Sequence, residues 1–101
     1  MHMEIFEFTV KDGVKDRYFE LAGLMREEIQ SQPGFISIER YESLTHENKV
    51  VSVSTWEDEA SILNWKRNVE HQKAQAEGKA GIFASYRLRV AEVIRDYGFE
   101  A

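Results

Sequence analysis

The sequence predicts an α+β fold, a four-stranded antiparallel sheet with two helices packed on one face. Three observations predict it. Apolar residues alternate with a period of two in four separate stretches. In two other stretches they recur every three or four residues. The two kinds follow one another as strand, helix, strand, strand, helix, strand, which is the ferredoxin-like pattern. A length of 101 residues suits a single domain, taken as residues 1–101.

Each element has its own justification. In EIFEFTV (4–10), Phe6, Phe8 and Val10 alternate with Glu7 and Thr9, and KDG then turns the chain. From Val14, the residues Tyr18, Leu21, Met25 and Ile29 draw one stripe along a helix that must end before Pro33-Gly34. Gly23 lies inside that helix, at a cost of roughly 1 kcal/mol relative to alanine. FISIERYES (35–43) and KVVSVSTW (49–56) are β-branched and aromatic runs joined by THEN, a hairpin. Glu57-Asp58-Glu59 marks a helix start, because carboxylates are favoured at the positive end of the helix dipole. This second helix is expected to run to about Gly78 or Gly81. IFASYRLRVAEVIR (82–95) supplies the last strand, with Tyr86, Leu88 and Val90 alternating with Arg87 and Arg89.

Composition narrows the function. Apolar residues at 43% and charged residues at 31%, with one proline, describe an ordered globular chain. A net charge of −5 with no basic block argues against nucleic acid. The absence of cysteine excludes disulfides, thiolate nucleophiles and thiolate metal sites. No apolar run approaches the roughly 20 residues of a membrane span, and MHMEIFEF lacks the features of a secretory signal, so a cytoplasmic location is expected. The three histidines, His2, His46 and His71, have no metal-site spacing, and no phosphate loop or dinucleotide fingerprint is present.

The alternation puts Phe6/Phe8, Ile36/Ile38, Val51/Val53 and Leu88/Val90 on one side of the sheet. Glu7, Glu39, Arg87 and Arg89 fall on the other, together with Phe35, Tyr41, Val50 and Trp56. That second face is too apolar for a solvated surface and carries its own charge partners, so a homodimer packed through the sheet face is expected. Tyr97 and Phe99, beyond the last strand, suit docking on a neighbouring surface.

The stretch ILNWKRNVEHQKAQAEGK (62–79) holds the candidate site. On a helix, Asn64, Asn68, His71 and Gln75 share a polar stripe beside the apolar stripe of Ile62, Trp65, Val69 and Ala76. Neutral hydrogen-bonding groups along an apolar edge suit a planar, mostly apolar molecule with a polar group, and Trp65 would supply a stacking surface. The plainer alternative is a solvated stripe, with Trp65 in the core and His71 bonded to nearby backbone.

Several segments together carry a resemblance: Pro33-Gly34-Phe35, VSVSTWEDEA at 51–60, the Trp65, His71 and Gln75 helix, and YRLRVAEV at 86–93. Over essentially the whole chain the sequence resembles the antibiotic biosynthesis monooxygenase domain family. The resemblance implies a dimeric α/β barrel with a pocket between sheet and helices in each subunit. It also implies oxidation of a small aromatic phenol or quinol by O2 without cofactor or metal. His71 would then be the base or hydrogen-bond partner, Asn68 and Gln75 with Asn64 would hold polar groups of the substrate, and Trp65 would stack on its rings. A haem-degrading branch of the superfamily is the alternative, although the first strand holds Glu7 where that branch has asparagine. A dimer that binds a small molecule without catalysis is the third reading.

Overall fold

The computed structural model describes residues 1–70 and 81–101. Its elements are β1 (His2–Val10), α1 (Lys15–Gln30), β2 (Phe35–Glu42), β3 (Lys49–Trp56), α2 (Glu59–Glu70) and β4 (Phe83–Glu92). The strands form one antiparallel sheet in the order β2-β3-β1-β4. The βαββαβ order and the ferredoxin-like α+β class are as the sequence predicts. Among the described residues no helix is long and apolar enough to cross a membrane.

Local chemistry explains the boundaries. Helix α1 closes where Ser31 and Gln32 turn their N–H groups onto the carbonyls of Glu28 and Ile29, and Gly34 then takes φ = 78°, a left-handed conformation that glycine enters without a Cβ penalty. A Cβ at Gly34 would also run into the Ser61 side chain, and the Gly34 carbonyl accepts from the Glu57 N–H at 2.8 Å. The α1–β2 turn is thereby seated against the start of α2. That helix is capped by Asp58, whose carboxylate accepts from the Ser61 N–H at 2.8 Å and the Ser61 hydroxyl at 2.7 Å. These bonds hold the Asp58 carboxyl below its ordinary range.

The register corrects one expectation about the sheet. Phe6 stands opposite Ser52 and Phe8 opposite Val50, so Val50, Ser52, Ser54 and Trp56 face the helices while Val51 and Val53 lie on the outer face with Glu7. Valines in both phases of β3 make either assignment look apolar, and the two serines on the inner face hide the true one. An irregularity between Phe35 and Ser37 likewise turns Phe35 inward against Trp56, with ring centroids 5.4 Å apart, and leaves Ile36 exposed.

The core has two parts. Phe8, Val10, Tyr18, Leu21, Val50 and Ile82 form one cluster. Ile29, Trp56, Ile62 and Trp65 form the other. Trp56 is fully buried, stacks on Trp65 at a centroid distance of 6.5 Å and donates its indole N–H to the Ser54 hydroxyl at 2.9 Å. Outside the core, Arg89 pairs with Glu7 on the outer face at 3.4 Å, and the segment after β4 leaves Ile94, Tyr97 and Phe99 almost fully exposed.

Candidate functional site

Between the two core clusters lies a cavity of about 720 Å³. Protein interiors are packed about as densely as organic crystals, so a space of this size between sheet and helices is the candidate binding site. The sheet registers lay out its floor as three rungs, each read from β2 to β4. They are Ile38, Ser54 and Glu4; Arg40, Ser52, Phe6 and Leu88; and Phe8 and Tyr86. Tyr18, Leu21, Ala22, Met25 and Ile29 of α1 and Trp65, Lys66 and Val69 of α2 form the roof. The lining is mainly apolar, with a few polar groups on the floor.

The charged groups occupy distinct places. Glu4 sits on the inner face of β1 in phase with Phe6 and Phe8. Burial raises its carboxyl above the ordinary value, and the nearby Lys66 ammonium partly offsets that rise. A carboxylate so placed holds a proton more readily than a solvated one, as a base near neutral pH requires. Arg40, on β2, borders the cavity close to Tyr18. Burial raises the Tyr18 phenol, which Arg40 partly counters by its charge, so the phenol is neutral at physiological pH. Arg87 borders the cavity at β4, although its register opposite Glu7 directs its side chain to the outer face.

The residues proposed from sequence divide into three groups. Trp65 is buried, stacks on Trp56 and forms part of the cavity wall. Asn64 is exposed and Asn68 half-buried on α2, and neither is among the residues that line the cavity. His71 and Gln75 lie outside the described residues. Sequence reasoning missed Glu4, Arg40, Ser52, Ser54 and Tyr18 as polar wall groups. A signal was present in each strand: Glu4 is in phase with Phe6 and Phe8, Arg40 with Ile38, and the serines with Val50 and Trp56. A polar residue in phase with an apolar series belongs either to a buried hydrogen bond or to a cavity. Among the described residues, no group of three or more His, Asp or Glu side chains is arranged to hold a metal ion.

Comparison with known proteins agrees with this architecture. The family model described as antibiotic biosynthesis monooxygenase matches residues 1–77. A jasmonate monooxygenase of Pyricularia oryzae is 36% identical over 92% of this chain, which spans 43% of that protein's length. Among solved structures, a variant of SnoaB, a cofactor-independent oxygenase from Streptomyces nogalater, superposes with a TM-score of 0.80 at 14% identity, covering 94% of each chain. The haem degrader MhuD of Mycobacterium tuberculosis, solved with two haems in its active site, superposes with a TM-score of 0.71 at 18% identity, covering 97% of this chain and all of that one. At those identities the two structures speak for the fold alone, and the family match rests on sequence. With its βαββαβ sheet and a cavity between sheet and helices, this chain belongs to the antibiotic biosynthesis monooxygenase family.

Proposed function

We propose that the protein is a monooxygenase that oxidises a phenol or quinol with O2 in the cavity between sheet and helices, using no cofactor, and that it works as a homodimer paired through the outer sheet face. The observation that carries the reading is the combination of an apolar cavity with a desolvated carboxylate, Glu4, on its floor and a cation, Lys66, close by. The relatives supply the class. One is named a jasmonate monooxygenase, and SnoaB is a cofactor-independent oxygenase of the same fold.

In this scheme Glu4 accepts the phenolic proton, and Lys66, exposed at the cavity's edge, offers a positive charge to the phenolate. The phenolate supplies the electrons for O2 to bond to a ring carbon, giving a hydroperoxide. Loss of water then leaves a carbonyl. One oxygen atom stays on the substrate, the other departs in water, and the substrate provides every electron. Trp65 and the apolar roof exclude solvent, which keeps the anion reactive and prevents loss of the peroxide to hydrolysis. The described cavity wall holds no imidazole or thiolate to ligate haem iron; His71, the base candidate from sequence, lies outside the described residues.

The test is oxygen uptake by metal-analysed protein with a panel of naphthols, anthrones and hydroquinones. Uptake of one O2 per quinone formed, in protein free of stoichiometric metal or haem, supports the proposal. Activity that appears only after haemin is added overturns it. For the dimer, the support is the mixed outer face and the exposed Ile94, Tyr97 and Phe99. A solution mass of 11.8 kDa, that of one chain, would contradict it.

A further inference from the structure

We propose that Arg40 is an anion anchor at the β2 end of the cavity, so that the substrate is a monocarboxylate with its apolar ring body lying toward Glu4. The inference deepens the monooxygenase reading and rests on the same cavity, but it makes a separate claim about binding.

Arg40 carries a fixed positive charge. The residue is half-buried, lies on the inner face of β2 opposite Ser52, and lines the cavity. The group beside it is the neutral phenol of Tyr18. None of the ion pairs among the described residues engages it, and the carboxylate two residues along the same strand face, Glu42, is taken by Lys15 at 2.9 Å. A partly desolvated guanidinium facing a phenol rather than a carboxylate still has donors to offer. Its planar fork fits a carboxylate in bidentate fashion, and the buried Tyr18 ring lies beside it.

The position of Glu4 sets what kind of anion fits. Glu4 lies on β1, separated from β2 by one strand and offset by one rung. Strand spacings of about 4.8 Å and a two-residue rise of about 6.7 Å put the two Cα atoms roughly 12 Å apart. With a side chain reaching in from either end, that span suits one or two rings bearing a short acidic arm. The cavity's other inner-wall cation, Lys66, is already coupled to Glu4, so Arg40 is matched to a single carboxylate. Ser52 and Phe6, between the two ends, give the ring body a floor with few charged groups.

The experiment is a calorimetric titration of the whole protein with 2-naphthylacetate and with 2-naphthylacetamide, its uncharged isostere. The acid is expected to bind at least about tenfold more tightly than the amide, as suits a charge-assisted bidentate contact. Arg40→Met, which keeps the apolar stem, should erase the difference while leaving amide affinity in place. Arg40→Lys should retain part of it, and Tyr18→Phe should weaken the acid severalfold and the amide little. Equal affinities in the wild type, no saturable binding of the acid, or a preference that survives Arg40→Met would each overturn the anchor. Loss of the preference in Lys66→Met but not in Arg40→Met would also overturn it, by placing the carboxylate at the other end. The outcomes separate from those of the oxygenase reading. An acid preference without oxygen uptake leaves the anchor and removes the chemistry, whereas uptake with neutral phenols and no acid preference does the reverse.

Discussion

Replacing Ala22 with leucine should make the protein more stable and stop it working. Ala22 lies on α1, packs at the margin of the first core cluster and lines the cavity. Leucine adds three carbons, a small part of a space of about 720 Å³. At about 0.8 kcal/mol for each methylene-sized group buried, full burial would stabilise by roughly 2.4 kcal/mol. Incomplete burial and the slightly lower helix propensity of leucine reduce the expected gain to about 1–2 kcal/mol. For a domain of this size each kcal/mol corresponds to a midpoint shift of roughly 4–8 °C. Urea unfolding followed by tryptophan fluorescence would read the gain as a higher midpoint at an unchanged slope, since Trp56 and Trp65 both lie in the second cluster. The same branch intrudes on the ligand's volume, so binding of the naphthyl probes should fall at least tenfold. A loss of stability above about 1 kcal/mol would mean overpacking and would refute the view that open space lies under Ala22.

Three further expectations concern glycine, Glu4 and the outer face. Gly23→Ala should stabilise by about 0.5–1 kcal/mol, because a Cβ there meets nothing; Gly34→Ala should cost about 2–4 kcal/mol through its left-handed φ and the clash with Ser61, and paired thermal melts check both. For Glu4, the folded-state carboxyl is raised, chiefly by desolvation, so its contribution to stability is complete below the ordinary value of 4.5 and is lost as pH rises through the raised value. Glu4→Gln should therefore melt higher than the wild type at pH 7, with the gap closing toward pH 4, while oxidation of a quinol falls by about 10²–10⁴ if Glu4 is the base. Val51→Lys, on the outer face, should shift the sedimentation profile from dimer to monomer; a wild type already monomeric would contradict the pairing.

Much of the fold was legible because each element carries one clear periodicity. The α1 stripe through Tyr18, Leu21, Met25 and Ile29 reads directly as a buried helix face, and Asp58 sits where a cap is needed. The orientation of β3 was not legible, because Val50, Val51 and Val53 satisfy both phases and Ser52 and Ser54 make the inner phase look solvated. Those serines face a cavity rather than a packed core, so the feature that obscured the strand is the one that marks the site. The same holds for Glu4 and Arg40, which interrupt apolar series on strands. Attention to polar residues on the second helix finds Trp65, which lines the cavity, but a site shared by four strands and two helices has no local spacing to reveal it. Pro33-Gly34 reads in the sequence as a helix terminator, while the close approach of Gly34 to Ser61 is a tertiary contact that periodicity does not encode.

The most direct test of the central claim is labelling with ¹⁸O₂, using a phenol or quinol from the panel and following the wild type beside Ala22→Leu. The account predicts one labelled oxygen atom in the wild-type product, the second in water, and no product from the folded, more stable variant. Unlabelled product, or full turnover by Ala22→Leu, would contradict the assignment of this cavity as the place where oxygen is transferred.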